Sequence, residues 1–225
     1  MNSWVDYYNN RAITYNDIYE ISEMSVGSSI ELSKLYLEED RERLYGLLNP
    51  KKNFSLLDLG CCVGVFLEII KDNYSKILGV DLAENAVKIA QERLPACHFL
   101  TADISKPLTQ IKDKYDHIIS FGVMHYLSDS QIDGFLNNIK TLLHSGGKAA
   151  VLRIANKQKH QDYQSYRAER NKPIIESDQQ LQWNWIDPQY IIDHCSDDFE
   201  VIIIHPSSGS EYPFKAFFDF LLIKK

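Results

Sequence analysis

The sequence predicts an α/β fold with a Rossmann-like doubly wound sheet, mostly parallel, that ends in an antiparallel hairpin and carries an N-terminal helical cap. After residue 54, short runs rich in branched apolar residues alternate with helical stretches, which is the pattern of parallel βαβ units. Two further strand-like runs, 200–205 and 217–223, are joined by a segment too short for a helix, so they favour an antiparallel pair. Residues 1–50 show helical patterns only, and form the cap. At 225 residues the chain fits one domain, 1–225.

Five strand-like runs and the helices between them give the order of the domain before the hairpin. Each run has about the length of a strand, and each intervening stretch places apolar residues at helical spacing. The predicted strands are 55–59, 76–80, 97–101, 117–121 and 149–154, and the predicted helices are 63–71, 84–94 and 130–143.

Composition and charge limit the partners that the chain can have. A formal net charge of −7 argues against nucleic acid, because phosphate binding usually leaves a basic surface. No run approaches the roughly 18 apolar residues of a membrane helix, and the first residues show no secretory signal. We therefore expect a cytoplasmic protein with no membrane or nucleic-acid partner; its oligomeric state does not follow from the sequence.

The sharpest local feature is the end of the first predicted strand, residues 56–64, which reads Leu-Leu-Asp-Leu-Gly-Cys-Cys-Val-Gly. Glycine lets a ligand approach the backbone, and the following helix N-terminus offers unpaired N–H groups. By itself this turn is a weak signal, since many doubly wound proteins need glycine there for structure alone. The second and third strands end in Asp81 and Asp103, at the edge where open α/β sheets bind ligands.

These features resemble the class I S-adenosylmethionine-dependent methyltransferases of the small-molecule type, whose glycine motif often reads Asp-Leu-Gly-Cys-Gly-x-Gly. The resemblance is strongest over residues 58–147, and the leader 7–15 resembles the family's N-terminal cap. It implies S-adenosyl-L-methionine as methyl donor and S-adenosyl-L-homocysteine as product. The cofactor-binding residues it implies are Tyr8, Arg11, Tyr15, Asp58, Gly60, Cys61, Gly64, Asp81, Leu82, Ala102, Asp103, Ile104 and Phe121.

One position departs from the family's motif. Cys62 stands where the middle glycine usually lies, so a Cβ atom and a sulfur must fit close to the cofactor. In the leader, by contrast, Trp4, Tyr7 and Tyr19 are interpreted as packing residues, and Arg11 is expected to pair with the cofactor's carboxylate.

The methyl acceptor is predicted to lie beyond the fourth strand, where residues 120–127 resemble a stretch found in small-molecule methyltransferases. His125 is the candidate catalytic base, with a purely shaping role as the open alternative. The polar insert 156–184 is expected to form a lid, and its tyrosines and arginines suit a polar or anionic acceptor. No metal is expected, because only Asp129 stands near this strand end. The candidate acceptor-binding residues are Tyr126, Arg153, Tyr166, Arg167 and Arg170.

Other function classes were weighed against methyl transfer to a small polar metabolite at oxygen or nitrogen. A nicotinamide enzyme is disfavoured because Gly60 is not followed by the G-x-G-x-x-G spacing. A noncatalytic cofactor-fold protein that acts as a binding partner or regulator is favoured by the Cys62 departure and disfavoured by the intact acidic residues. Methylation of a protein or nucleic acid is disfavoured by the acidic charge balance.

Overall fold

A computed structural model of the chain describes residues 4–22, 30–169, 183–205 and 214–225. Its strands form one seven-stranded sheet in the order β3-β2-β1-β4-β5-β7-β6. Strands β1 to β5 pair in parallel, whereas β7 lies antiparallel between β5 and β6, so the predicted mixed sheet with an antiparallel C-terminal pair is confirmed. The strands are β1 Ser55–Leu59, β2 Lys76–Asp81, β3 His98–Thr101, β4 Tyr115–Phe121, β5 Leu143–Ala155, β6 Phe199–Ile204 and β7 Phe217–Lys224.

Helices cover both faces of the sheet, as a doubly wound fold requires. Over the described ranges, no helix is long and apolar enough to cross a membrane. The α-helices are α1 Trp4–Thr14, α2 Ile18–Ile21, α3 Ile30–Leu48, α4 Val65–Ile70, α5 Glu84–Arg93, α6 Asp129–Leu142, α7 His160–Glu169 and α8 Pro188–Cys195, and short 3₁₀ turns occupy Lys71–Asn73, Met124–Tyr126, Lys157–Lys159 and Phe214–Ala216.

Side-chain alternation in the central strands divides the core into two layers. In β4, Ile118 packs into the layer that includes α6 and α8, while the adjacent Ile119 packs into the layer that includes α3, α4 and α5. In β5, Val151 and Leu152 divide in the same way. Buried parallel strands therefore read as continuous apolar runs, which is why their positions could be predicted.

Two elements differ from the prediction in detail. Strand β5 begins at Leu143 and not at 149, and its register with β4 shifts between Tyr115 and His117. In α3, the helical spacing of leucines suggests that Leu35 shares the apolar face of Leu44 and Leu48, but Leu35 is 55% exposed while Leu44 and Leu48 are buried. The buried face therefore begins at Leu37, and Leu35 lies outside it.

Candidate functional site

A cavity of about 550 Å³ opens at the carboxyl ends of β1, β2 and β4, which is within the range of small-molecule sites. Residues from nine segments of the chain border it, from α1 to the start of β7. The sequence-predicted residues that border it are Tyr8, Asp58, Gly60, Cys61, Asp81, Leu82, Asp103, Ile104, Phe121, His125, Tyr126 and Arg153.

The turn after β1 depends on glycine at position 60. Gly60 has a φ of +91°, and its N–H donates to the carbonyl of Val80 at 2.7 Å. A Cβ atom there would lie 2.4 Å from Cγ2 of Val123, so a side chain would displace the loop that follows β4. The turn can therefore bring backbone against a ligand only because this residue has no side chain.

Cys62 borders the cavity in the same turn and has a backbone conformation that favours glycine. Its φ is +46°, in the left-handed region that costs an L-residue roughly 1–2 kcal/mol. Its N–H donates to Oδ2 of Asp81 at 2.8 Å. The turn geometry is thus retained with a non-glycine residue, at a cost in backbone strain.

Gly64 does not border the cavity, although the sequence placed it beside the cofactor. It is the N-cap of α4 with a φ of +74°, and a Cβ atom there would lie 2.9 Å from Cδ1 of Leu94. Its role in the structure is to let α4 begin close to α5. Ala102 also lies off the cavity, and its N–H donates to the carbonyl of Asp81 at 2.9 Å.

Two buried carboxyl groups lie side by side at the ends of β1 and β2. Burial, with a smaller effect of the Asp81 charge, raises the pKa of Asp58 to about 8. Burial also raises the pKa of Asp81, although hydrogen bonds from the backbone N–H groups of Ala83 and Cys62 oppose this. A pair of carboxyl groups held this way favours a cationic or hydroxyl-bearing ligand.

A third carboxylate follows β3. Oδ1 of Asp103 accepts hydrogen bonds from the backbone N–H and the hydroxyl of Ser105, at 2.9 and 2.6 Å. Leu82 and Ile104 border the cavity beside these acids and provide apolar surface. The β1–β3 side of the cavity therefore combines carboxylates with apolar contacts.

His125 lies on the opposite side of the cavity, in the 3₁₀ turn after β4. Desolvation lowers its pKa to about 3, against the opposing effect of a backbone hydrogen bond with Arg153. Its Nδ1 is buried without a hydrogen-bond partner. The backbone N–H of Arg153 already donates to Asp219, so the imidazole must bond to the Arg153 carbonyl. A neutral imidazole has one N–H, and the bond to the carbonyl uses it. Nδ1 is therefore left as a hydrogen-bond acceptor.

The leader helix α1 brings aromatic residues to the cavity and turns its arginine away. The hydroxyl of Tyr8 donates to that of Tyr126 at 3.0 Å, and the Trp4 ring lies 3.8 Å from the Tyr126 ring. Trp4 thus borders the cavity, although it was expected only to pack. Arg11 is buried between α1 and α2, where it donates to Ile21 and Glu20 carbonyls and to Tyr7, and lies over Tyr15.

The structure therefore does not bring Arg11 or Tyr15 to the cavity, in contrast to the sequence expectation. Successive side chains leave a helix about 100° apart, so the rotation of α1 about its axis decides which of them point to the cavity. That rotation is set by packing against other elements, which the local sequence does not encode.

Arg153 borders the cavity but is already paired. Its guanidinium contacts Oδ2 of Asp40 at 2.8 Å and lies over the Phe121 ring, while its backbone N–H donates to Oδ1 of Asp219. Arg43 contacts both carboxylates, at 2.7 and 2.6 Å. These four residues, Asp40, Arg43, Arg153 and Asp219, form a charge network that ties α3 to β5 and β7.

The insert is described only in part. Residues 160–169 form α7, and Tyr166 of this helix lies off the cavity. Arg167 belongs to the same helix, but its side chain lies outside the described parts of the structure. Arg170 lies outside the described residues. Trp183, at the end of the insert, borders the cavity and packs 4.8 Å from the His125 ring.

Several bordering residues were not proposed as site residues from the sequence. Phe217, at the start of β7, carries no motif that could have singled it out, whereas Val123 lies within the stretch 120–127 that already pointed to this site. Gln131 follows the predicted stretch 120–127 closely enough to have been considered. Across the described ranges, no group of three metal-ligating side chains is present.

Known proteins resemble this chain mainly over the segment that carries β1 to β4 and their connecting helices. Residues 56–147 match a family model described as a methyltransferase domain. Over 112 residues the chain is 30% identical to malonyl-[acyl-carrier protein] O-methyltransferase 1 of Ilyobacter polytropus, covering 48% of this chain and 40% of that protein. Over 87 residues it is 32% identical to an uncharacterized RNA methyltransferase of Clostridium acetobutylicum, covering 35% of this chain and 19% of that protein. The chain thus spans less than half the length of these relatives.

The fold likeness extends further than the sequence likeness. The structure of N-methyltransferase NodS from Bradyrhizobium japonicum, in complex with S-adenosyl-L-homocysteine, aligns with a TM-score of 0.61 and 15% identity. The alignment covers 95% of this chain and 94% of that one. At this identity the match establishes a shared fold over nearly the whole chain.

Proposed function

We propose that this chain, which has the class I S-adenosylmethionine-dependent methyltransferase fold, moves a methyl group from S-adenosyl-L-methionine to a small molecule. The proposal starts from the match of residues 56–147 to a methyltransferase domain. The fold expected from the sequence is confirmed, and the expected family is supported by the match of residues 56–147 to a methyltransferase-domain model. The observation that carries the proposal is the placement of Asp58, Asp81 and Asp103 at successive strand ends around one cavity.

The residues at the β1–β3 side of the cavity fit this cofactor. A carboxylate offers about four acceptor positions, and two of those on Asp81 are taken by backbone N–H groups, which leaves capacity for the ribose hydroxyls. Leu82 and Ile104 provide apolar surface for the adenine ring, with Asp103 beside it. Asp58 and the side-chain-free Gly60 would hold the methionine half, whose amino group is cationic.

When bound, S-adenosyl-L-methionine supplies a methyl group activated by a positively charged sulfur. The chain's contribution is to hold the acceptor in line, because alignment of reacting atoms supplies much of the rate of a displacement. His125 borders the proposed acceptor site, and its buried Nδ1 can accept a hydrogen bond from the acceptor's O–H or N–H once binding exposes it. Its pKa near 3 makes it a weak base, so we assign it an orienting role and not proton abstraction.

Calorimetry with S-adenosyl-L-homocysteine tests the cofactor site directly. In Asp81→Asn the ribose would lose a charge-assisted hydrogen bond, so we expect at least a tenfold loss of affinity, or roughly 1.4 kcal/mol. The matched control is Asp72→Asn, since Asp72 is exposed and lies off the cavity. Equal affinities in the two variants, or no binding to the unmodified chain, would contradict the proposal.

A catalytic readout separates an enzyme from a noncatalytic cofactor-binding protein. Pooled metabolites incubated with the chain and S-adenosyl-L-methionine should yield a product heavier by one methyl group. A parallel incubation with RNA is informative because one relative carries the name of an RNA methyltransferase. Methylated RNA without any methylated metabolite would replace the small-molecule proposal, and cofactor binding without product from either would favour the noncatalytic alternative.

A further inference from the structure

We propose that the methyl acceptor is an uncharged molecule with a flat aromatic body, bearing the hydroxyl or amine group that receives the methyl. This inference rests on the proposed function and names the substrate class for the same site. It replaces the anionic metabolite expected from the sequence, because the arginine that borders the cavity is already paired.

The acceptor side of the cavity is built from aromatic rings drawn from four parts of the chain. Trp4 and Tyr8 come from α1, His125 and Tyr126 from the turn after β4, Trp183 from the end of the insert, and Phe217 from the start of β7. We refer to these six residues as the aromatic cluster.

The rings of the aromatic cluster contact one another in a continuous series. Trp4 lies 3.8 Å from Tyr126, which lies 4.2 Å from His125, as measured between ring centroids. His125 lies 4.8 Å from Trp183, and Trp183 lies 5.9 Å from Phe217. Flat apolar ligands gain burial and favourable ring geometry against such a surface.

The charges around the cavity oppose an anionic ligand. Of the bordering side chains that the structure describes, Arg153 is the one lysine or arginine, and it contacts Asp40 at 2.8 Å. Asp58, Asp81 and Asp103 border the same cavity. Among the described side chains, a carboxylate or phosphate on the acceptor would find no cationic partner except the already paired Arg153, and it would lose its hydration.

Two polar atoms in the aromatic cluster lack a hydrogen-bond partner among the described residues. They are His125 Nδ1 and Trp183 Nε1, whose rings are neighbours and which are both buried. A buried polar atom left unpaired costs roughly 1–3 kcal/mol, so such atoms call for a partner. Because both atoms are closed off from the cavity, an acceptor hydroxyl that donates to Nδ1 or accepts from Nε1–H must displace the neighbouring rings as it binds, and an amine that donates to Nδ1 must do the same.

A set of ligands on one ring system tests the inference. The full chain, saturated with S-adenosyl-L-homocysteine, is titrated by calorimetry with 1-naphthol, 1-naphthylamine, 1-naphthoate and 1-naphthyl phosphate. We expect the two uncharged compounds to bind at least tenfold more tightly than the two anions. Tighter binding of naphthoate or naphthyl phosphate overturns the inference.

Two tryptophans of the same segment provide a matched pair of variants. Trp183→Ala should reduce naphthol affinity at least tenfold, whereas Trp185→Ala should have a much smaller effect, because Trp185 lies off the cavity and touches the aromatic cluster only through Trp183, at 6.2 Å between ring centroids. Trp183→Phe keeps a ring but removes the N–H donor, and should recover part of the affinity. Equal effects of the two alanine changes contradict the inference.

Retained binding of S-adenosyl-L-homocysteine shows that each variant is folded and that the cofactor site is intact. Loss of that binding in the unmodified chain would overturn the proposed function itself. Cofactor binding together with no preference among the naphthyl compounds would overturn the acceptor inference alone.

Discussion

Asp58 is the residue whose ionisation the fold opposes most clearly among the acids that border the cavity. Its pKa is about 8 in the folded chain against roughly 3.9 in an unfolded one. The unfolded state therefore releases this proton at lower pH, and the group's contribution to stability declines as pH rises from about 4 to 8. At neutral pH this buried carboxyl therefore lowers the stability of the folded chain.

Replacing Asp58 by asparagine should remove this pH-dependent cost. We expect the unfolding free energy of Asp58→Asn, relative to the unmodified chain, to rise by roughly 1.4 kcal/mol per pH unit between about pH 4 and 8, and then to level off. Urea denaturation across this range measures it. For the exposed Asp72→Asn control, the difference in unfolding free energy from the unmodified chain should not change with pH. The same constant difference for Asp58→Asn would mean that the Asp58 carboxyl ionises normally.

Cys62 offers a second test at the scale of one residue. With a φ of +46°, its backbone suits glycine, so Cys62→Gly should raise the unfolding free energy by about 1 kcal/mol. Cys62→Ala keeps the Cβ atom and should bring no such gain. Thermal denaturation compares the variants, and a gain shared by alanine would assign the effect to the sulfur and not to the backbone.

At the scale of elements, the charge network fixes α3 against the sheet. Asp40 is buried and contacts both Arg153 of β5 and Arg43 of its own helix, so it neutralises two cations at once. Removing a buried partner leaves charge uncompensated, which costs more than the pair contributes when intact.

We expect Asp40→Asn to lower the unfolding free energy by about 3 kcal/mol. Glu38→Gln is the matched control, since Glu38 lies on the same helix and its ion pair with Arg41 is largely exposed; it should cost below about 1 kcal/mol. Chemical denaturation of both variants decides. Similar costs for the two would show that the network is no stronger than a surface ion pair.

For the whole molecule, the positions of the strands along the chain and of the acids near their ends could be predicted because both are encoded locally. Runs of branched residues mark buried strands, and an acid directly after a strand must lie at the sheet's carboxyl edge. Asp58, Asp81 and Asp103 border the cavity as that logic requires.

What the sequence could not supply were contacts between distant elements. Asp40 and Arg153 are 113 residues apart, and no local pattern indicates that one neutralises the other. Phe217 reaches the cavity only because β7 pairs with β5, and Arg11 is held by the Ile21 carbonyl beyond its own helix. Packing between elements decides where the side chains of the cap point and which charges pair across the sheet. The hydrophobic periodicity of the sequence carries no information about either.

The insertion of β7 between β5 and β6 also constrains how the protein is made. During synthesis β6 emerges before the strand that joins it to the sheet, because it pairs with β7 and β7 pairs with β5. The residues at the ends of β1 to β3 are synthesised well before Phe217 of the aromatic cluster, which arrives with β7. Under the proposed function, the growing chain therefore holds its residues for the methyl donor before it holds the last residue of the acceptor side.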